Sequence, residues 1–159
     1  VLRSALKVAK RRGEFPGDIA AVMPDGFSAE YKPRERYLTA ARAQALLAEL
    51  EPDRAARVAF ILATGARWSE SDSASRADVH LEGDILRLRG TKTDGSDRRV
   101  PVIAFSVPLL EHALTYAEGT DGSLFRPWGN VRRDLAVACL RAGIPAVTPN
   151  DLRRTYATW

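Results

Sequence analysis

The feature that most constrains this chain is a change of periodicity in its middle. Residues 85–89 (ILRLR) and 98–103 (RRVPVI) alternate between apolar and polar positions, and TKTDGSD at 91–97 separates them. Alternation with period two belongs to a strand with one buried face, and a short polar, glycine-containing break between two such runs predicts a β-hairpin. The residues on both sides carry helical spacing instead. Thr39 is placed to cap a helix running to about residue 50, with Leu46, Leu47 and Leu50 as its buried stripe. Pro52 or Asp53 opens the next helix, which turns Val58, Ile61 and Leu62 inward and stops at Gly65, and a short helical stretch follows Arg67. After the hairpin, Ser106 is read as the cap of a helix to about 117. A further helix spans about 130–141 and closes at Gly143. Thr148-Pro149-Asn150-Asp151 supplies a cap, a proline at the first helical position and an acid three residues after the cap. The fold class predicted is mainly α with one small antiparallel β-sheet (α+β).

The start of the chain reads differently. Residues 2–12 (LRSALKVAKRR) form a basic helix with Leu2, Leu6 and Ala9 on one face, ended by Gly13. Prolines 16, 24 and 33 and glycines 13, 17 and 26 then mark residues 13–36 as a linker. A second unit begins near Tyr37. Its length suits one ordinary core. The first residue is Val1 rather than Met, as expected of a piece of a longer chain. Neither a membrane-spanning apolar run nor an export signal is visible. Cys139 is the sole cysteine, so no internal disulfide can form and a reducing cytosol is the natural compartment.

Charge narrows the class of partner. Net charge is only +4, but twenty arginines stand against four lysines and they are grouped. Arg3, Lys7, Lys10, Arg11 and Arg12 crowd the start, Arg87, Arg89, Lys92, Arg98 and Arg99 surround the hairpin, and Arg126, Arg132, Arg133, Arg141, Arg153 and Arg154 load the last quarter. Separated basic stretches suit a polyanion neutralised at many points, and the guanidinium fork grips phosphate in a bidentate way. A GC-rich genome, which raises arginine and alanine together, is the alternative origin.

Three segments carry candidate chemistry. In Thr64-Gly65-Ala66-Arg67-Trp68-Ser69-Glu70, the glycine allows a sharp turn after which Arg67 points away from the helix pair while Glu70 holds it; a solvent arginine in a local salt bridge fits as well. Lys92 sits at the hairpin tip, either as a solvated charge or as a proton donor to a leaving alkoxide. In Thr148-Pro149-Asn150-Asp151-Leu152-Arg153-Arg154-Thr155, Asn150 and Arg153 share a face of a helix's first turn, where the dipole and free N–H groups favour an anion. Arg153 could equally pair with Asp151.

Taken in order, these segments resemble the tyrosine recombinases (phage-integrase family). TGARWSE is similar to the family's first arginine box, Lys92 to its hairpin lysine, and NDLRRTYATW to its second box, which usually reads HDLRRT. The resemblance covers residues 37–159 and implies the DNA breaking-rejoining catalytic fold, incomplete at the C-terminus. Residues 1–12 resemble the last helix of the core-binding domain that precedes it. By this resemblance Arg67 and Arg153 hold the non-bridging oxygens of a scissile phosphate, Lys92 protonates the departing 5′-oxygen, and Glu70 braces Arg67. Asn150 takes the place of a histidine. Arg89, Thr91, Arg98 and Arg154 are expected to contact DNA. No metal or other cofactor is implied, because two guanidinium forks supply the neutralisation a metal supplies elsewhere.

The resemblance also sets expectations for partners. Double-stranded DNA is the partner and a membrane is not; the piece is expected to be a monomer, a full-length relative a tetramer on DNA, and the setting a bacterial or phage-infected cytoplasm. Three departures qualify it. The family's nucleophilic tyrosine, and a His or Trp motif before it, are expected beyond Trp159. Tyr31, Tyr37, Tyr116 and Tyr156 match no such position, so this chain is expected to bind DNA without cleaving it. Asn150 cannot shuttle a proton near neutral pH. Ser71-Asp72-Ser73-Ala74-Ser75 is polar where apolar residues usually follow the glutamate, and is expected to remove core contacts behind Arg67. The competing readings are a decayed integrase that only binds DNA, a type IB topoisomerase, and a tyrosine donated by a partner protomer.

Overall fold

The computed structural model describes residues 2–23, 36–81, 85–90 and 97–159. Contacts divide the chain into two units, Val1–Arg34 and Glu35–Trp159. In the first, helix α1 (Leu2–Arg11) has no buried residue. Gly13, at φ +74°, turns the chain so that the Gly13 and Glu14 amides donate to the Lys10 and Ala9 carbonyls. The linker expected at 13–36 is thus described at 13–23 and at Arg36 alone. Tyr31 and the prolines at 24 and 33 lie outside the described residues.

The second unit runs α2 (Ala40–Ala48), α3 (Pro52–Thr64), α4 (Trp68–Asp72), β1 (Val79–His80), β2 (Ile85–Leu88), β3 (Arg98–Pro101), α5 (Val107–Tyr116), α6 (Val131–Arg141) and α7 (Pro149–Thr158), with 3-10 turns at Arg76–Asp78 and Ala104–Ser106. The architecture is the mainly helical one with a small antiparallel sheet. The expected hairpin forms with Leu86 opposite Val100 and Leu88 opposite Arg98. β1 adds a third strand, in the order β1-β2-β3, that periodicity did not reveal.

Helix α3 is the spine. Every residue from Ala55 to Thr64 is buried, so α3 has no solvent stripe, and α5 and α7 pack along it. Phe60 meets Phe125 edge-on at 5.4 Å between ring centroids. Each such fully buried aromatic or branched side chain contributes about 1.5–3 kcal/mol. Thr39 caps α2 as expected, its hydroxyl accepting the Arg42 amide at 3.3 Å. That helix stops at Ala48, so Leu50 lies beyond it and is partly buried. Ser106 stands at the N-cap of α5 as expected but makes no capping bond: its hydroxyl donates backwards to the Ile103 carbonyl at 2.8 Å.

Helix α7 is tied to the beginning of its unit. The Thr155 hydroxyl donates to the Asp151 carbonyl and accepts the buried Leu38 amide, both at 2.9 Å. The Trp159 indole N–H donates to the Leu38 carbonyl at 3.0 Å. Among the described residues, no helix is long and apolar enough to cross a membrane.

Candidate functional site

The site is built where α3 ends. Gly65 adopts φ +62°, which terminates the helix in the left-handed conformation. A side chain there would also strike Tyr156, since an added Cβ would lie 2.4 Å from its Cδ1. Two residues later Arg67 becomes the N-cap of α4, and Glu70 folds back beneath it. Glu70, only 2% exposed, is the hub. Its Oε2 accepts the Arg67 amide at 2.7 Å and its Oε1 the Arg67 guanidinium at 2.5 Å. Arg98, at the start of β3, grips the same carboxylate with both Nη atoms, at 2.7 and 3.0 Å.

Arg153 arrives from α7. Its Nη1 donates to the Gly65 carbonyl at 3.0 Å and stands 3.9 Å from Glu70 Oε2. It does not pair with Asp151. That role falls to Arg154, at 2.8 Å, while Asp151 also accepts the Thr148 amide and hydroxyl at 2.9 and 2.7 Å. The capping pair holds the first turn of α7, so Arg153 is aimed by the helix while its neighbour takes the acid.

Three guanidinium groups against one carboxylate leave a formal excess of +2. Burial pulls the Glu70 carboxyl pKa upward and is the largest single influence. It is outweighed by hydrogen bonds from Arg98, from the Arg67 amide and from the Arg67 side chain, which bring it down to about 2. Glu70 is therefore ionised throughout the neutral range. Arg153 is pushed below the usual guanidinium range, first by burial and then by repulsion from Arg67 and Arg98, with Glu70 acting in the opposite sense. An anion brought among these groups would relieve that repulsion. Arg67 remains about half exposed and Arg153 more than a third, so both face solvent as well as Glu70.

No protein-family model and no curated protein matches the sequence. Solved structures do. The XerA recombinase superimposes with a TM-score of 0.60 over 98% of this chain and 59% of its own, at 24% identity. The catalytic domain of bacteriophage HP1 integrase gives 0.55 over 77% of this chain and 70% of its own, at 28% identity. A lambda integrase dimer bound to a core site gives 0.69 over 99% and 62%, at 18% identity. The fold is that of the tyrosine recombinase catalytic domain. The chain spans about six-tenths of the length of the XerA chain and of the lambda integrase chain (75–356) in those structures.

Within this recombinase fold, Arg67, Glu70 and Arg153 come together, and Arg98 joins them. Arg98, expected as a DNA contact, bonds Glu70 while about three-tenths of its side chain stays exposed. It shares the inward parity of Val100 on β3, and its fork is spent on Glu70. Strand alternation carried that signal in the sequence. Arg89 lies on the opposite face of the hairpin and donates to buried Asp78 at 2.7 Å. Asn150 is exposed in the first turn of α7. Lys92 and Thr91 lie outside the described residues.

The polar run after Glu70 does not empty the core behind Arg67. Ser71 is buried and accepts from Arg57, Asp72 pairs with the same guanidinium, and the Ser73 hydroxyl donates to the Arg89 carbonyl at 2.8 Å. Arg57 was not among the candidates read from the sequence. Among the described residues no cluster of three or more His, Cys, Asp or Glu side chains could hold a metal.

Proposed function

We propose that this chain is the phosphate-holding part of a site-specific DNA recombinase that cuts and rejoins strands through a tyrosine. The observation that carries the reading is the convergence of Arg67, Arg98 and Arg153 on one buried carboxylate, with charge to spare, in a recombinase fold. Fixed guanidinium donors in a partly desolvated site favour a phosphodiester as negative charge builds on its non-bridging oxygens. Arg67 and Arg153 take those oxygens. Glu70 holds Arg67 in place, and Arg98 locks Glu70 from the hairpin. Lys92 gives its proton to the departing 5′-oxygen while a tyrosine oxygen, its own proton released to solvent, bonds to phosphorus. Rejoining reverses the step, with a 5′-hydroxyl displacing the tyrosine, so no bond energy is lost to water. The attacking tyrosine comes from outside these 159 residues, either further along the same protein or from a partner protomer.

The partner is double-stranded DNA. The isolated chain binds it as a monomer without cutting it, while a full-length protein assembles on DNA. Fluorescence anisotropy with a labelled duplex, titrated at several salt concentrations, tests this. Affinity falls linearly on a log–log plot, and Arg67→Ala or Arg153→Ala each weakens binding about tenfold and lowers the slope by about one. Salt-independent binding would refute the reading. Asn150 favours a second possibility, a protein that occupies DNA without cutting it, since an amide cannot shuttle a proton. A full-length version that forms no covalent adduct with DNA would establish that alternative.

A further inference from the structure

Arg57 sits in the middle of α3 with 1% of its surface exposed. A guanidinium in such a place needs every donor satisfied, because an unpaired buried charge costs several kcal/mol. Its Nε donates to Ser71 Oγ at 2.9 Å, and Nη2 donates to the Trp68 carbonyl at 3.3 Å and to the Asp72 carboxylate. Nη1 donates to the Arg126 carbonyl at 3.4 Å, and the group lies 4.0 Å from the centroid of the Trp68 ring. Ser71 Oγ then donates to the Trp68 carbonyl at 2.7 Å. One side chain of α3 thus grips Trp68, Ser71 and Asp72, three of the five residues of α4.

None of these contacts belongs to Arg67, Glu70, Arg98 or Arg153, yet α4 carries Glu70 and is capped by Arg67. A five-residue helix cannot hold its own conformation, so its orientation comes from what it rests on. Apolar packing is non-directional and would leave rotation of α4 about its axis loosely set. A planar fork bonded to a hydroxyl, a carbonyl and a carboxylate sets it in three directions at once.

We propose that Arg57 is a positioning residue: with Ser71 and Asp72 it forms a polar clasp that fixes the rotation of α4 and so aims Glu70, and through it Arg67 and Arg98, at the phosphate site. The destination of that aim rests on the proposed function; the clasp itself does not.

The test uses amide hydrogen exchange by NMR on the whole 159-residue chain, without ligand. The Arg67 amide, which donates to Glu70, reports the aim of α4, and the amides of α7 report global stability. Arg57→Met speeds exchange at Arg67 about tenfold relative to α7, the loss of a charged hydrogen bond. Asp72→Ala, at a half-exposed position where the chain stays folded, shifts it in the same direction, and the double variant goes no further than Arg57→Met alone. Arg67 moving only in step with α7 in both single variants would reduce Arg57 to a general stabiliser and overturn the proposal, as would multiplying effects in the double variant. Titrating inorganic phosphate while following the arginine Nε–H signals keeps the two claims apart. No response at Arg67 and Arg153 in the unmodified chain would sink the phosphate reading and leave the exchange result to judge the clasp.

Discussion

Replacing Glu70 with glutamine exposes what the buried carboxylate contributes. The substitution keeps the shape and removes the charge that Arg67 and Arg98 share through four hydrogen bonds. Holding the carboxyl at about 2 instead of 4.5 is equivalent to roughly 3 kcal/mol of folding stability at neutral pH. A separate estimate agrees, since breaking a buried ion pair on one side costs about 3–5 kcal/mol. The folded-state pKa is depressed, so this stability is complete above pH 4.5 and is lost as pH falls through about 2. By pH 3 only about 1.4 kcal/mol of it remains. Urea unfolding of the parent chain and Glu70→Gln at pH 7, 5 and 3 reads the difference directly. At pH 7 the variant also melts about 6–12 °C lower. A gap below about 1 kcal/mol at pH 7, or one as large at pH 3, would refute the assignment of Glu70 as the ionised hub.

Two further substitutions follow from the geometry. Gly65→Ala forces a Cβ into a left-handed turn and against Tyr156, so thermal melts show a loss of about 2–5 kcal/mol. Adding Tyr156→Ala recovers the clash but not the backbone cost, and purely additive losses would contradict the contact. In a full-length protein, Asn150→His introduces a group that titrates near neutral pH and speeds strand cleavage by up to about a hundredfold; an unchanged or slower rate counts against a proton role at this position.

The elements that could be read from the sequence are those specified by local chemistry. The hairpin followed from alternation, and the cap of α7 from Thr148 and Asp151 three residues apart, because both interactions form within one segment. β1 escaped because two residues carry no usable period. The partner of Asp151 could not be decided from the sequence, since neighbours on a helix point about 100° from each other and only the packed helix shows that Arg154 takes the acid while Arg153 faces Gly65. Arg57 resembles an ordinary surface arginine until α3 is known to be buried on every side. Two of its partners, Ser71 and Asp72, were visible within the odd polar run at 71–75, whose oddness lies in the sequence while the residue that explains those two lies fourteen and fifteen residues upstream.

The bond from Arg153 to the Gly65 carbonyl closes a span of 88 residues, and that from Leu38 to Thr155 one of 117. Contacts this distant in sequence carry a large loop-closure cost, so they stand only when the chain between them is ordered. Without α7, Arg67 and Arg98 would share Glu70 with an excess of one charge; the Arg153 that α7 brings raises it to two. A partly folded chain therefore offers phosphate a weaker grip than the finished one. The positive charge of the cluster is completed by the same helix that completes the core.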